Sequence, residues 1–168
     1  MWNSQVIVML LEGIRDTLYM TLASTLFGYI IGLPMGIVLT VTDKDGIRPN
    51  AAVYKVLDVI SNLLRSIPFI ILLIVLIPFT RFVVGRSYGS TATIVPLTIA
   101  AAPYIARMVE SSLKEVDAGV IEAARSMGAS DFQIVTRGML VEARTFLIVG
   151  ATISLGTILG YSAMAGTV

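Results

Sequence analysis

The run TLYMTLASTLFGYIIGLPMGIVLTVT, residues 17–42, carries no charge over 26 positions. A bilayer core demands roughly 20 apolar residues from a helix, so this stretch reads as a membrane span. The same count finds three more. Residues 66–80 are uncharged, and admitting Arg65 extends that run back to Val59. Residues 87–106 give 20 uncharged positions, and residues 145–168 give 24. Spans are therefore expected at about 17–42, 59–80, 87–106 and 145–166. Each is continuously apolar, whereas barrel strands alternate over about 10 residues. A helix also satisfies its own backbone groups in lipid. The expected fold is an all-α membrane protein, a polytopic helical bundle forming one domain over 1–168.

Composition points the same way. Of 168 residues, 56% are hydrophobic and 14% are charged, with mean hydropathy +0.88. A soluble domain is about 45–50% apolar and about a quarter charged. Eleven of the 23 charges fall between Arg107 and Arg144, leaving long uncharged runs elsewhere. An ordinary soluble globule, a disordered chain and a coiled coil are excluded. With no His and no Cys, Ser-His-Asp, Cys-His and His-ligated metal catalysis are excluded too. No glycine-rich loop ends in Gly-Lys, so any ATP would be bound by another chain. A net charge of +1 gives no case for nucleic acid. The first 11 residues are apolar but interrupted by Glu12, Arg15 and Asp16, and they read as an interfacial lead-in. No basic stretch precedes them, which argues against a cleaved signal peptide.

Orientation follows from Lys and Arg in the short loops. Lys44, Arg48 and Lys55 follow the first span, and Arg107, Lys114, Arg125, Arg137 and Arg144 follow the third. These eight share one side, against Arg15, Arg81 and Arg86 on the other. The 43–58 and 107–144 loops are thus expected in the cytoplasm and the N-terminus outside.

The spans are not plain anchors. Gly28, Gly32 and Gly36, and again Gly156 and Gly160, recur every four residues, which lets helix backbones approach closely. Packing within the bundle is the expected role, and lining a pathway is the alternative. Pro34, Pro68, Pro78, Pro96 and Pro103 lie in or at the ends of spans, as suits bent helices around a cavity. Arg65 is expected near the cytoplasmic end of its span, reaching the interface; gating or subunit pairing is the alternative.

Residues 107–144 are too long for a connector. Asp117 can cap a helix with Val120, Ile121, Ala124 and Met127 near one apolar face. Gly128 sits where a left-handed residue ends a helix. Ser130, with Gln133 three residues on, is a capping-box spacing, and Phe132, Ile134 and Val135 supply the apolar side of the second helix. The segment reads as helix, glycine turn, helix. Its six acidic and five basic residues favour a groove on a partner protein over anionic lipid.

Within that segment, Glu122-Ala123-Ala124, then Gly128, Ile134 and Leu140, resembles the cytoplasmic "EAA" loop of permease subunits of bacterial ATP-binding-cassette importers. Arg65-Ser66-Ile67-Pro68-Phe69, Ile94-Val95-Pro96-Leu97, Ala102-Pro103-Tyr104-Ile105-Ala106-Arg107 and Gly160-Tyr161-Ser162-Ala163-Met164 are similar to the methionine branch of that family. The resemblance covers nearly all of the chain. It implies a type I importer permease in the bacterial inner membrane, with four membrane helices here and a coupling-helix pair between the third and fourth. It implies a homodimer, two copies of a separate ATPase subunit that holds ATP and Mg, an extracytoplasmic methionine-binding lipoprotein, and no cofactor or catalytic site in this chain. Glu122, Ala123, Ala124, Arg125, Gly128 and Ile134 would dock the ATPase, with Glu122 and Arg125 making pairing contacts. Tyr161, Ser162 and Met164 would line or close the path.

Two departures stand out. Leu140 is followed by Val141, where the family usually has Leu-Pro. The family also has a further helix after a glycine-rich loop, so the chain ending at Val168 reads as a truncated permease or an incomplete gene product. The competing functions are a permease for another polar amino acid and a non-transporting assembly subunit. A membrane-embedded enzyme is disfavoured, since spans 17–42, 87–106 and 145–168 hold no Asp or Glu.

Overall fold

The computed structural model describes residues 4–165, and every regular element among them is a helix. Helix α1 (Ser4–Thr42) absorbs the expected lead-in and the first span into one 39-residue rod. At 1.5 Å per residue it is about 58 Å long, well beyond the roughly 30 Å of a hydrocarbon core. Next come α2 (Ala51–Ser66), α3 (Phe69–Val75), α4 (Ile77–Val84) and α5 (Ser90–Lys114). After α6 (Ala118–Ser126) come α7 (Asp131–Gln133), a π-helical stretch (Ile134–Met139), α8 (Leu140–Glu142) and α9 (Arg144–Ala165).

α1, α5 and α9 are each long and apolar enough to cross a membrane. The expected single span over 59–80 is instead broken. Pro68 excludes its predecessor from helical geometry, and Ile67 is extended (φ −81°, ψ 125°). α2 and α3 consequently meet at a bend of 102°. Pro78 sits in the first turn of α4, where its missing N–H costs nothing. Gly85, at φ +82°, ends that helix in the left-handed region.

α5 is the centre of the molecule. Leu97, Ala101, Ile105, Val109 and Leu113 recur every four residues and are all almost fully buried. α1 lies against this helix through its glycines. A Cβ on Gly32 would stand 2.7 Å from the Ala102 carbonyl oxygen, and one on Gly36 would stand 2.6 Å from that of Ala106. Contacts so short are open only to hydrogen, so the expected glycine packing holds for α1. It does not hold for α9 within this chain, because a Cβ on Gly156 or Gly160 would meet nothing within 4 Å.

α5 also corrects the expected loop boundary. The helix runs on to Lys114, so the first eight residues of the 107–144 loop are helix. Arg107 and Glu110 are turned inward, while Lys114 stays partly exposed. Glu110 is 4% exposed and accepts from Arg107 (2.7 Å), Lys114 (2.8 Å) and the Tyr54 hydroxyl (3.1 Å). Arg107 pairs in turn with Asp58 of α2, and Lys114 with Asp43 just past α1 (2.6 Å). At the other end, Ser90 at the start of α5 donates to Asp16 of α1 (2.8 Å).

Candidate functional site

The segment after α5 is held locally before it is held by packing. Asp117 accepts from the Gly119 N–H (2.7 Å) and caps α6, as expected. The far end of α6 closes in a Schellman motif. Ala129 N–H donates to the Ala124 carbonyl (3.1 Å) and Gly128 N–H to that of Arg125 (3.0 Å). Gly128 takes φ +78° to do so, a region where a Cβ is strained. Ser130 and Gln133 form the expected capping box, with Ser130 N–H donating to Gln133 Oε1 (2.9 Å). The two caps leave a stiff turn between α6 and α7.

Packing then decides which faces are visible. In the π-helical stretch the turn is wider than in an α-helix, and Ile134 and Met139, five residues apart, both point inward. They are 1% and 3% exposed, and Val135 is 8%. All three join the core that α5 organises, as does Ala143. Ile134 is thus a structural anchor of the segment and lies off its surface. Met127 and Phe132, expected on the apolar faces of the two helices, are 81% and 77% exposed. They flank the Gly128 turn as two projecting apolar side chains.

The remaining motif residues divide. Glu122 and Ala123 are exposed, and Ala124 is half-buried against the core. Arg125 is exposed too, but its Nη2 donates to the Ile47 carbonyl (3.1 Å). That carbonyl belongs to the 43–50 loop, itself folded tightly through Gly46 N–H to Asp43 carbonyl (2.9 Å) and Arg48 N–H to Val41 carbonyl (3.0 Å). Arg125 therefore ties α6 to the end of α1. Lys114 holds the Asp43 carboxyl in the same loop below the ordinary carboxylate range.

Two cavities open along α9. The larger, about 660 Å³, lies toward the Ser87–Ser90 end and is lined by Asp16, Thr80, Tyr88, Ser90 and Ser162 among others. The smaller, about 220 Å³, sits at the α2–α3 break, between Arg65, Phe69, Ala100, Tyr104 and Tyr161. Tyr161 and Ser162 are adjacent in sequence and face one cavity each. The Tyr161 ring stacks on Phe69, with centroids 4.9 Å apart and planes 4° from parallel. Ser162 is buried and donates to the Leu159 carbonyl (2.8 Å). Met164 is 46% exposed and lines neither cavity.

A helical bundle with a stiff, apolar-tipped excursion at its charged end and a cavity at a broken helix has the layout of a transport subunit. The family model described as "Binding-protein-dependent transport system inner membrane component" matches residues 13–168. The chain belongs to that family.

Relatives within it include a protein of Salmonella typhimurium named "D-methionine transport system permease protein MetI". It is 54% identical over 158 residues, 94% of this chain and 73% of that protein. The Escherichia coli (strain K12) protein of the same name is 53% identical over the same shares. Among solved structures, "Inward facing conformations of the MetNI methionine ABC transporter: CY5 native crystal form" superposes with TM-score 0.97 at 51% identity. The match covers 99% of this chain and 77% of that one. "Crystal structure of an amino acid ABC transporter with histidines" shares the fold at TM-score 0.63 and 21% identity, over 95% of this chain and 75% of that one.

Sequence reasoning missed the buried charge network and the separation of exposed Met127 and Phe132 from buried Ile134 and Val135. The network had a signal: Arg107, Glu110 and Lys114 are spaced three and four apart, one face of a helix. The separation had none, because apolar periodicity groups Phe132 with Ile134 and Val135 on one side and does not say which of them the bundle covers.

Proposed function

We propose that this chain is the membrane permease subunit of an ATP-driven importer for methionine. Two copies form the transmembrane unit, each docked by one copy of a separate ATPase subunit that carries ATP and Mg. A methionine-binding lipoprotein delivers substrate from outside. α1, the bent α2–α3 unit, α5 and α9 serve as four membrane-crossing units. The N-terminus is outside, and the 43–50 loop and the α6–α8 excursion are cytoplasmic.

The observation that carries the docking part is the pair Met127 and Phe132, held out by a doubly capped turn. Exposed apolar side chains on a rigid element suit a hydrophobic groove in a partner. Glu122 and Ala123 lie on the open side of the same element and complete the contact, while Ala124, Arg125, Gly128 and Ile134 position it. The buried ion network and the Arg125–Ile47 bond join the excursion to α1, α2 and α5. A displacement imposed by the ATPase pair thereby reaches the bundle as a rigid-body movement, and alternating access follows from differential binding of two bundle states. Tyr161, Ser162 and Met164 form the gate region on α9, with the Tyr161–Phe69 stack walling the smaller cavity.

Two measurements test the reading. Proteoliposomes containing the chain, its ATPase and the binding lipoprotein are expected to accumulate labelled methionine with ATP; absence of uptake counts against the importer. Gly128→Trp is expected to lose ATPase in a pull-down from detergent extracts. Retention equal to wild type removes the docking role.

A further inference from the structure

Arg65 lies in a setting the interfacial reading did not anticipate. α2 begins at Ala51, not near Val59, so Arg65 stands fourteen residues into a helix. At 1.5 Å per residue that is about 21 Å along the axis. The neighbouring register agrees: Asp58 of α2 pairs with Arg107 of α5, whereas Arg65 shares a cavity with Ala100 and Tyr104, higher on α5. Arg65 is exposed in the single chain and lies seven residues, about 10 Å, beyond the Asp58–Arg107 pair; an arginine set past that charged level in a hydrocarbon layer needs a counter-charge or water. Among the described residues no carboxylate supplies one. Asp58, one heptad earlier on the same helix, is taken by Arg107, and Arg65 makes no hydrogen bond or ion pair.

The cavity that Arg65 borders is suited to what is missing. Its volume of about 220 Å³ is below the roughly 300–1,000 Å³ typical of drug-sized ligands, a size for one small molecule. Its walls are Leu64, Ile67, Phe69, Leu72 and the rings of Tyr104 and Tyr161. Such a lining accepts an unbranched, polarisable side chain, and a thioether packs well against aromatic rings. The guanidinium offers a planar pair of donors matched to a carboxylate. The break at Pro68 opens the α2–α3 corner where the cavity lies, and the Tyr161–Phe69 stack forms one wall.

From this arrangement we propose that Arg65 binds the α-carboxylate of the transported amino acid. The side chain of the substrate then lies in the 220 Å³ cavity against Tyr104 and Tyr161. This inference rests on the importer reading above and adds a substrate subsite within the permease.

The test uses the permease–ATPase complex in detergent without the binding lipoprotein, so that selection by the lipoprotein does not intervene. Labelled methionine is bound to wild type and displaced by methionine or by methioninol, which lacks the carboxylate. Wild type is expected to prefer methionine at least 10-fold. Arg65→Gln is expected to weaken methionine binding at least 10-fold and to bring the two competitors within 2-fold. Arg65→Lys is expected to retain the preference. ATPase co-purification and the far-ultraviolet helix signal report whether each variant is assembled. If Arg65→Gln does not assemble, the wild-type competitor ratio and Arg65→Lys decide.

A wild-type complex that shows no saturable binding or accepts methioninol equally well overturns the assignment. So does an assembled Arg65→Gln complex with unchanged affinity, the result expected if Arg65 is held by a lipid phosphate or by an acid of the second copy. Failure of the importer reading would appear separately, as absence of methionine uptake by wild-type proteoliposomes.

Discussion

Lys114 Nζ lies 2.6 Å from Asp43 Oδ2, and this contact closes the end of α5 onto the first residue after α1. The same ammonium group reaches Glu110 at 2.8 Å. One cation thus links the loop that Arg125 grips to the buried carboxylate that Arg107 and Tyr54 share.

The Asp43–Lys114 contact predicts a pH dependence. Lys114 lowers the Asp43 carboxyl in the folded chain, whereas unfolding releases it to about 3.9. A group depressed on folding stabilises above its unfolded value and loses that contribution as pH falls through the folded value. Asp43→Asn is expected to lower the thermal midpoint at pH 7 by an amount matching about 0.2–1 kcal/mol, since Lys114 is partly exposed. The deficit relative to wild type should shrink as the pH falls below 4. Thermal unfolding at pH 7 and pH 3 checks this, and equal deficits at both would assign the effect to something other than the carboxylate charge.

Glu110 carries more. Removing a buried partner leaves the other charges uncompensated, at about 3–5 kcal/mol. Glu110→Ala is expected to cost an amount in that range, because Arg107 loses an acceptor and is only 18% exposed. Glu110→Gln keeps the shape and should cost less. Unfolding in detergent followed by circular dichroism separates the two, and a loss below about 1 kcal/mol for Ala would show that the network is not a structural element.

Glycines offer an internal contrast. Gly36→Ala forces a methyl group to 2.6 Å from a backbone oxygen of α5. Overpacking of this kind costs about 1–3 kcal/mol, so a clear drop in the thermal midpoint is expected. Gly156→Ala meets open space within the chain and should change the stability of the isolated chain by no more than about 0.5 kcal/mol. Matching effects from the two substitutions would contradict the packing of α1 on α5.

The turn after α6 separates shape from contact. Gly128→Ala introduces a Cβ at φ +78° and should cost about 1–2 kcal/mol. Phe132→Ala removes only an exposed ring, so the chain should unfold as wild type does while ATPase co-purification falls. Titrated pull-downs with both variants test this, and full ATPase recovery with Phe132→Ala would move the docking contact elsewhere.

Much of the architecture was legible because it is local. Apolar run length placed α1, α5 and α9, since a bilayer constrains composition residue by residue. Asp117, Gly128 and the Ser130–Gln133 pair were readable because caps and left-handed residues act within about one turn. The "EAA" residues were found, but the tie from Arg125 to the Ile47 carbonyl was not.

What run length and spacing determined was therefore the inventory: which stretches are helical, where the caps of the 117–133 segment fall, and which residue types could meet. The tertiary structure decided the pairings. It turned Glu110 into a buried hub by bringing α2 and the 43–50 loop against α5. It used the wide π-helical turn to send Ile134 inward while Phe132 stayed outside. It broke the second apolar run at Pro68, leaving Arg65 in the last turn of α2 beside a cavity. A helix face has no destination until another element arrives to cover it. The arrival depends on contacts dozens of residues apart, such as Asp58 with Arg107, which no local pattern records.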